Sequence, residues 1–176
     1  LGWELHHPME KMQPLYDALM KAGEPFGIHH FGTYALNSLR MEKAYKAWGT
    51  ELTTEISVVE ADMMRFVRKG GGYIGADIVK RKLEEGVDTH LVYCEVDVFD
   101  ADPMGNEPVY HGDQVIGITT SGAYGHCVKK SLAFAYVTKG YETPGSIFEI
   151  EILGERRKAT VLADPAWDPD NERLRI

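Results

Sequence analysis

A chain of 176 residues with 44% hydrophobic and 26% charged side chains has the composition of a soluble globular protein, long enough to bury a real core in one sizeable domain or two small ones. Its formal net charge of −8 argues against binding to a phosphate backbone, which needs clustered Lys and Arg. No window approaches the roughly 18 apolar residues of a membrane span.

The N-terminus has no start methionine and no basic-then-apolar signal; it reads as part of a longer chain whose targeting signal, if any, lies upstream. Residues 1–8 alternate apolar and polar side chains. From Met9 to Ala22 the positions Met9, Met12, Leu15, Tyr16, Leu19 and Met20 follow helical spacing, and Gly23 closes the run. Pro14 should kink this helix or move its start. A short extended piece at Gly27–Phe31 leads into a helix over Tyr34–Ala47, with Leu36 and Leu39 on one face and Gly49 to stop it. Thr50–Val58 reads as loop or short strand. Glu60–Arg68 reads as a short helix with Met63, Phe66 and Val67 inward, broken by Gly70-Gly71-Gly72. Ala76–Glu85 is a last helix before Gly86.

The texture then changes. Over His90–Val98, Val92, Cys94, Val96 and Val98 alternate with Leu91, Tyr93, Glu95 and Asp97. Further strand-like runs lie at Pro108–His111, Val115–Thr120, Leu132–Val137, Ser146–Leu153 and Arg157–Ala163. Turn signals separate them, including Gly112-Asp113, Ser121-Gly122 and Gly154-Glu155. Strands without intervening helices predict a small barrel or sandwich, with a tail from Asp164 wrapped around it as coil. The boundary between the two parts falls near Gly86–Thr89.

Few residues carry an obvious chemistry. Cys94 and Cys127 have no ligand partners nearby and read as half-buried thiols of a reducing compartment. The pairs His6-His7 and His29-His30 cannot chelate by themselves, because adjacent strand residues point to opposite faces, and no zinc-type spacing occurs; no metal site is expected. Lys69-Gly70-Gly71-Gly72 lacks the G-x-x-x-x-G-K-S/T order of a phosphate cradle. Ser121 lacks the G-x-S-x-G frame of a nucleophile elbow. Residues 91–176 hold 14 Asp and Glu against 8 Lys and Arg, a poor surface for an oligonucleotide. Glu4, between Trp3 and Leu5, reads either as a solvated glutamate or as a carboxylate for a ligand edge with two parallel donors, such as a pterin.

Four ordered blocks resemble one family. LGWELHHP at residues 1–8 resembles the end of the YTGExGWE signature of the aminomethyltransferase (glycine-cleavage T-protein) family. Residues 34–67, YALNSLRMEKAYKAWGTELTTEISVVEADMMRFV, resemble its central block in the form found in flavin-dependent dimethylglycine and sarcosine dehydrogenases. Residues 112–137, GDQVIGITTSGAYGHCVKKSLAFAYV, and 163–175, ADPAWDPDNERLR, resemble its barrel and terminal motifs.

The resemblance implies an α+β architecture: residues 1–88 as the C-terminal part of a folate-binding lobe, then residues 89–176 as a six-stranded antiparallel β-barrel. It implies a tetrahydrofolate site in which Glu4 holds the pterin, with Leu5 and His6 as neighbouring pocket residues. Arg65 falls where related dehydrogenases place a folate-contacting tyrosine, and a guanidinium there suits the glutamyl tail. Leu36 replaces the arginine of the family's ARD triplet, and Arg40 matches a separate arginine. The implied reaction passes a one-carbon unit from an N-methyl amine donor to tetrahydrofolate, giving 5,10-methylenetetrahydrofolate. The FAD domain, the signature tyrosine and the catalytic aspartate would lie upstream, so this segment alone should be inactive. The alternatives are a stand-alone T-protein-like aminomethyl or methyl transferase, disfavoured by ALNSLR in place of ARDxLR, and a non-catalytic structural or interaction lobe with a decayed folate pocket, a reading that Leu36 keeps open. Family members of this kind belong to the bacterial cytoplasm or the mitochondrial matrix. A lobe that expects an upstream half should expose apolar surface and tend to self-associate.

Overall fold

The structure, a computed structural model, describes residues 3–175. Three helices come first: α1 (Met12–Gly23), α2 (Thr33–Glu42) and α3 (Ala76–Glu85). Six strands follow: β1 (Thr89–Val96), β2 (Pro108–His111), β3 (Gln114–Gly125), β4 (Lys130–Thr138), β5 (Ile147–Ile152) and β6 (Glu155–Val161). The strands close into an antiparallel barrel in the order β1-β4-β3-β2-β5-β6. This is the expected fold class.

The barrel closes because its strands alternate. Val92, Cys94 and Val96 of β1 point inward with Ala133, Ala135 and Val137 of β4, meeting Val109, Ile116, Phe148 and Ile150. Small and β-branched side chains fit the narrow interior of a small barrel. The opposite parity of the same two strands is also buried. Leu91, Tyr93, Leu132 and Phe134 face outward and pack with Met41 of α2. β1 and β4 therefore carry apolar residues on both faces, and α2 covers the outer one.

β3 runs well past its predicted end. It pairs with β2 only as far as Ile118, while its pairing with β4 continues to Gly125. On the β2 edge Thr119 still exchanges backbone bonds with Asn106 and Glu107; farther along, among the described residues, no strand pairs there and α2 supplies donors instead. Asn37 Nδ2 donates to the Gly122 carbonyl at 3.1 Å, and Ser38 Oγ donates to the Tyr124 carbonyl at 2.6 Å. Ser121-Gly122, read as a turn, lies inside this strand. Gly122 is there because a Cβ would collide with the Pro103 backbone, a close approach and not a chain reversal.

The helical part departs further from expectation. α2 stops at Glu42, five positions short of Ala47, and Ala44 adopts a left-handed φ of 52°. Its buried face is Ser38, Met41 and Glu42; Leu36 and Leu39 are half exposed. The edge of β3 selects a hydrogen-bonding face over the more apolar one. Glu60–Arg68 forms turns with a single 3₁₀ turn at Met64–Phe66, and Phe66 is exposed. Instead of continuing as a helix, this stretch wraps the ammonium of Lys46, whose Nζ donates to the carbonyls of Ala61 at 2.6 Å and Asp62 at 2.7 Å. α3 matches its expected span, and Met9–Lys11 is a 3₁₀ turn ahead of α1, so that Pro14 falls in the first turn and is accommodated without a break. The cysteines are not alike: Cys94 is fully buried, with burial pushing its thiol up to about 12, whereas Cys127 is exposed.

Candidate functional site

The expected pterin-binding residues lie on an extended segment ahead of α1. Trp3, Glu4, Leu5 and His6 are all exposed; Leu1 and Gly2 lie outside the described residues. The Glu4 side chain is 91% exposed, and its ionic neighbour is His6 Nε2 at 3.6 Å. Among the described residues its carboxylate has no hydrogen bond to the folded body, and the exposed His6 contact leaves it accessible to a bidentate partner. Tyr16 of α1 stacks on His30 at 5.7 Å, and the Tyr16 hydroxyl lies 3.0 Å from His30 Nε2. That contact holds the returning chain against α1.

Arg65 sits in the 3₁₀ turn, with its guanidinium 4.6 Å above the Phe66 ring. Among the described residues it has no ion-pair partner. It lines a groove of about 1080 Å³ bounded by the chain after α2 (Lys43–Lys46), the outer face of β1 and the tail after β6. Lys46 lines the same groove. Burial lowers its pKa, with Asp62 partly restoring it. Tyr93 is 8% exposed on the groove floor, and burial raises the pKa of its hydroxyl.

Arg40 does something else. Its Nη1 donates to Glu51 Oε2 at 2.8 Å, and its Nε to Asn37 Oδ1 at 2.8 Å. Glu51 has no accessible surface. Its second oxygen accepts from Thr120 Oγ1 at 2.7 Å and from Ser121 Oγ, and the Ala47 amide donates to Oε2 at 2.8 Å. A register shift between Thr119 and Ser121 brings the hydroxyls of two consecutive residues onto one carboxylate. Burial would raise the Glu51 pKa, but the bonds from Ser121, Ala47 and Thr120, with the Arg40 charge, hold it below its ordinary value. This network fixes α2 and the following loop to the barrel. Sequence reasoning missed Glu51 altogether, since a lone glutamate in a polar β-branched stretch gives no signal of burial. Leu36 is 53% exposed on the face of α2 turned away from β3. Among the described residues no three His, Cys, Asp or Glu side chains cluster closely enough to hold a metal ion, and no helix is long and apolar enough to cross a membrane.

Comparison with known proteins places this arrangement. The model of the GCVT N-terminal domain matches residues 1–70, and that of the glycine cleavage T-protein C-terminal barrel domain matches residues 90–168. The chain is 42% identical to mouse mitochondrial dimethylglycine dehydrogenase over 178 aligned residues, covering 100% of this chain and 20% of that protein. It is 30% identical to an aminomethyltransferase of Bacillus pumilus, covering 94% of this chain and 46% of that one. The crystal structure of glycine cleavage system aminomethyltransferase T from Bartonella henselae superposes with a TM-score of 0.81 at 20% identity, over 92% of this chain and 45% of that chain. The chain thus spans about a fifth of the length of the dehydrogenase and just under half of the aminomethyltransferase. Domain models of one family thus match residues 1–70 and 90–168, and this chain belongs to the aminomethyltransferase (glycine cleavage T-protein) family.

Proposed function

We propose that this chain is the tetrahydrofolate-binding portion of a flavin-linked N-methyl-amine dehydrogenase of the dimethylglycine or sarcosine type. The observation that carries the reading is its likeness to dimethylglycine dehydrogenase along the whole chain, at higher identity than to the aminomethyltransferase. In this reading residues 1–88 complete a folate lobe and residues 89–176 form the barrel packed behind it.

The side chains suit the ligand. Glu4 offers an exposed carboxylate to the ring N–H and exocyclic amine of the pterin, with Leu5 and His6 beside it. Arg65, without an ion pair, offers a guanidinium to the glutamyl carboxylates. Tetrahydrofolate supplies the nucleophilic nitrogens that accept the one-carbon unit. The residues of this chain bind and orient it; oxidation of the amine belongs to a flavin domain upstream. Leu36 offers no charge to the folate tail, and that duty passes to Arg65.

The test uses the full-length protein with an N-methyl amine and tetrahydrofolate, measuring amine oxidation and 5,10-methylenetetrahydrofolate separately. Glu4→Ala should leave amine oxidation intact and lower the folate product in favour of free formaldehyde. A variant that forms the folate product as the parent does would remove Glu4 from the site. A parent that yields no folate product at all would leave a structural lobe as the function.

A further inference from the structure

We propose that residues 162–171, the tail after β6, act as a latch that opens independently of the barrel, with Lys43 as its lock. After Val161 the tail adds one more rung to the barrel, from the Leu162 amide to the Tyr93 carbonyl at 2.8 Å, and no further strand pairing. Past that hinge its hydrogen bonds to the rest of the chain, among the described residues, gather at one place, the C-terminal end of α2. The Trp167 amide donates to the Glu42 carbonyl at 2.9 Å. Lys43 Nζ donates to the Asp168 carbonyl at 2.7 Å and to Asn171 Oδ1 at 2.8 Å, with the Asp168 carboxylate at 3.5 Å. The far end is knotted on itself, since Asp168 accepts from the amides of Asn171 and Glu172. The latch can therefore move as a unit about Leu162 once the Lys43 cluster lets go.

One feature makes the closed state easy to leave. Beneath the latch, the buried Tyr93 hydroxyl lies against the Ala166 backbone without a well-formed hydrogen bond. A buried hydroxyl without a partner disfavours the state that buries it, and lifting the latch would return this one to water. The latch is also one wall of the groove that Arg65 and Lys46 line. Opening it widens that groove down to Tyr93 and frees the Lys43 ammonium toward it.

Hydrogen exchange followed amide by amide, on the intact chain, tests this. The Trp167 amide should exchange at least about tenfold faster than the paired amides of β1 and β4, because it opens without the barrel. Lys43→Gln should raise the Trp167 rate by about a further tenfold and leave β1 and β4 unchanged, since it removes charged hydrogen bonds only from the latch. Asn171→Ala, a milder change in the same cluster, should shift the rate in the same direction. A Trp167 amide as protected as the strands would overturn the proposal. So would a Lys43→Gln or Asn171→Ala chain in which latch and strands accelerate together.

Discussion

Glu51 is fully buried, and both of its oxygens are occupied by Arg40, Thr120, Ser121 and the Ala47 amide. Replacing it with leucine would remove the carboxylate that balances the Arg40 charge and accepts from the Ala47 amide and the Thr120 and Ser121 hydroxyls, leaving Arg40 only its neutral acceptors on Asn37 and Tyr45. Breaking a buried pair this way costs about 3 kcal/mol or more, so Glu51→Leu should lower the urea midpoint sharply while Arg65→Ala, at an exposed site, leaves it almost unmoved. The same network makes stability depend on pH. The folded-state pKa of Glu51 lies below its ordinary value, so the unfolded chain takes up the proton first as pH falls. The contribution is fully present above pH 4.5 and is lost as pH drops from there through the folded value. Unfolding midpoints measured from pH 7 down to pH 3 should fall in that window, and Glu51→Gln should flatten the fall.

Among the elements, β3 and α2 define each other. A methyl at Gly122 would strike the Pro103 backbone, so Gly122→Ala should destabilise by about 1–3 kcal/mol even though the residue sits in a strand where alanine is ordinarily harmless. At the end of α2, Ala44 holds a backbone that glycine adopts at no steric cost. Ala44→Gly should stabilise the chain by about 0.5 kcal/mol, readable as a raised midpoint in thermal unfolding. These elements also show what the residues alone convey. The alternation of Val92, Cys94 and Val96 with Leu91 and Tyr93 is a local signal and identified β1 directly. The length of β3 was not legible, because Ser121-Gly122 carries the composition of a turn and its glycine serves a contact with Pro103, distant in sequence. The early end of α2 was equally hidden. Nothing in Lys43-Ala44-Tyr45 breaks a helix; the chain turns there because Lys43 and Lys46 reach carbonyl groups of the tail and of the 61–62 turn.

Across the whole molecule the barrel and the preceding part stand differently. The barrel buries a continuous core, whereas α1 buries none of its residues and exposes Met12, Tyr16 and Leu19. Phe26, Phe31 and Trp48 are exposed as well. Apolar surface on this scale seeks cover, so sedimentation should show association that grows with concentration and is relieved by Leu19→Glu with Phe31→Glu. A single monomeric boundary at high concentration would count against it. The candidate site was legible only through family motifs, since an exposed glutamate on an extended segment looks like any solvated carboxylate until its ligand is known. Calorimetric titration of (6S)-tetrahydrofolate into the longest chain that carries this segment, beside its Glu4→Ala variant, tests the central claim most directly. A charged hydrogen bond to the pterin contributes about 1.5–3 kcal/mol, so the variant should bind about ten- to a hundredfold more weakly. Binding unchanged by the substitution, or no binding by the parent chain, would contradict the account.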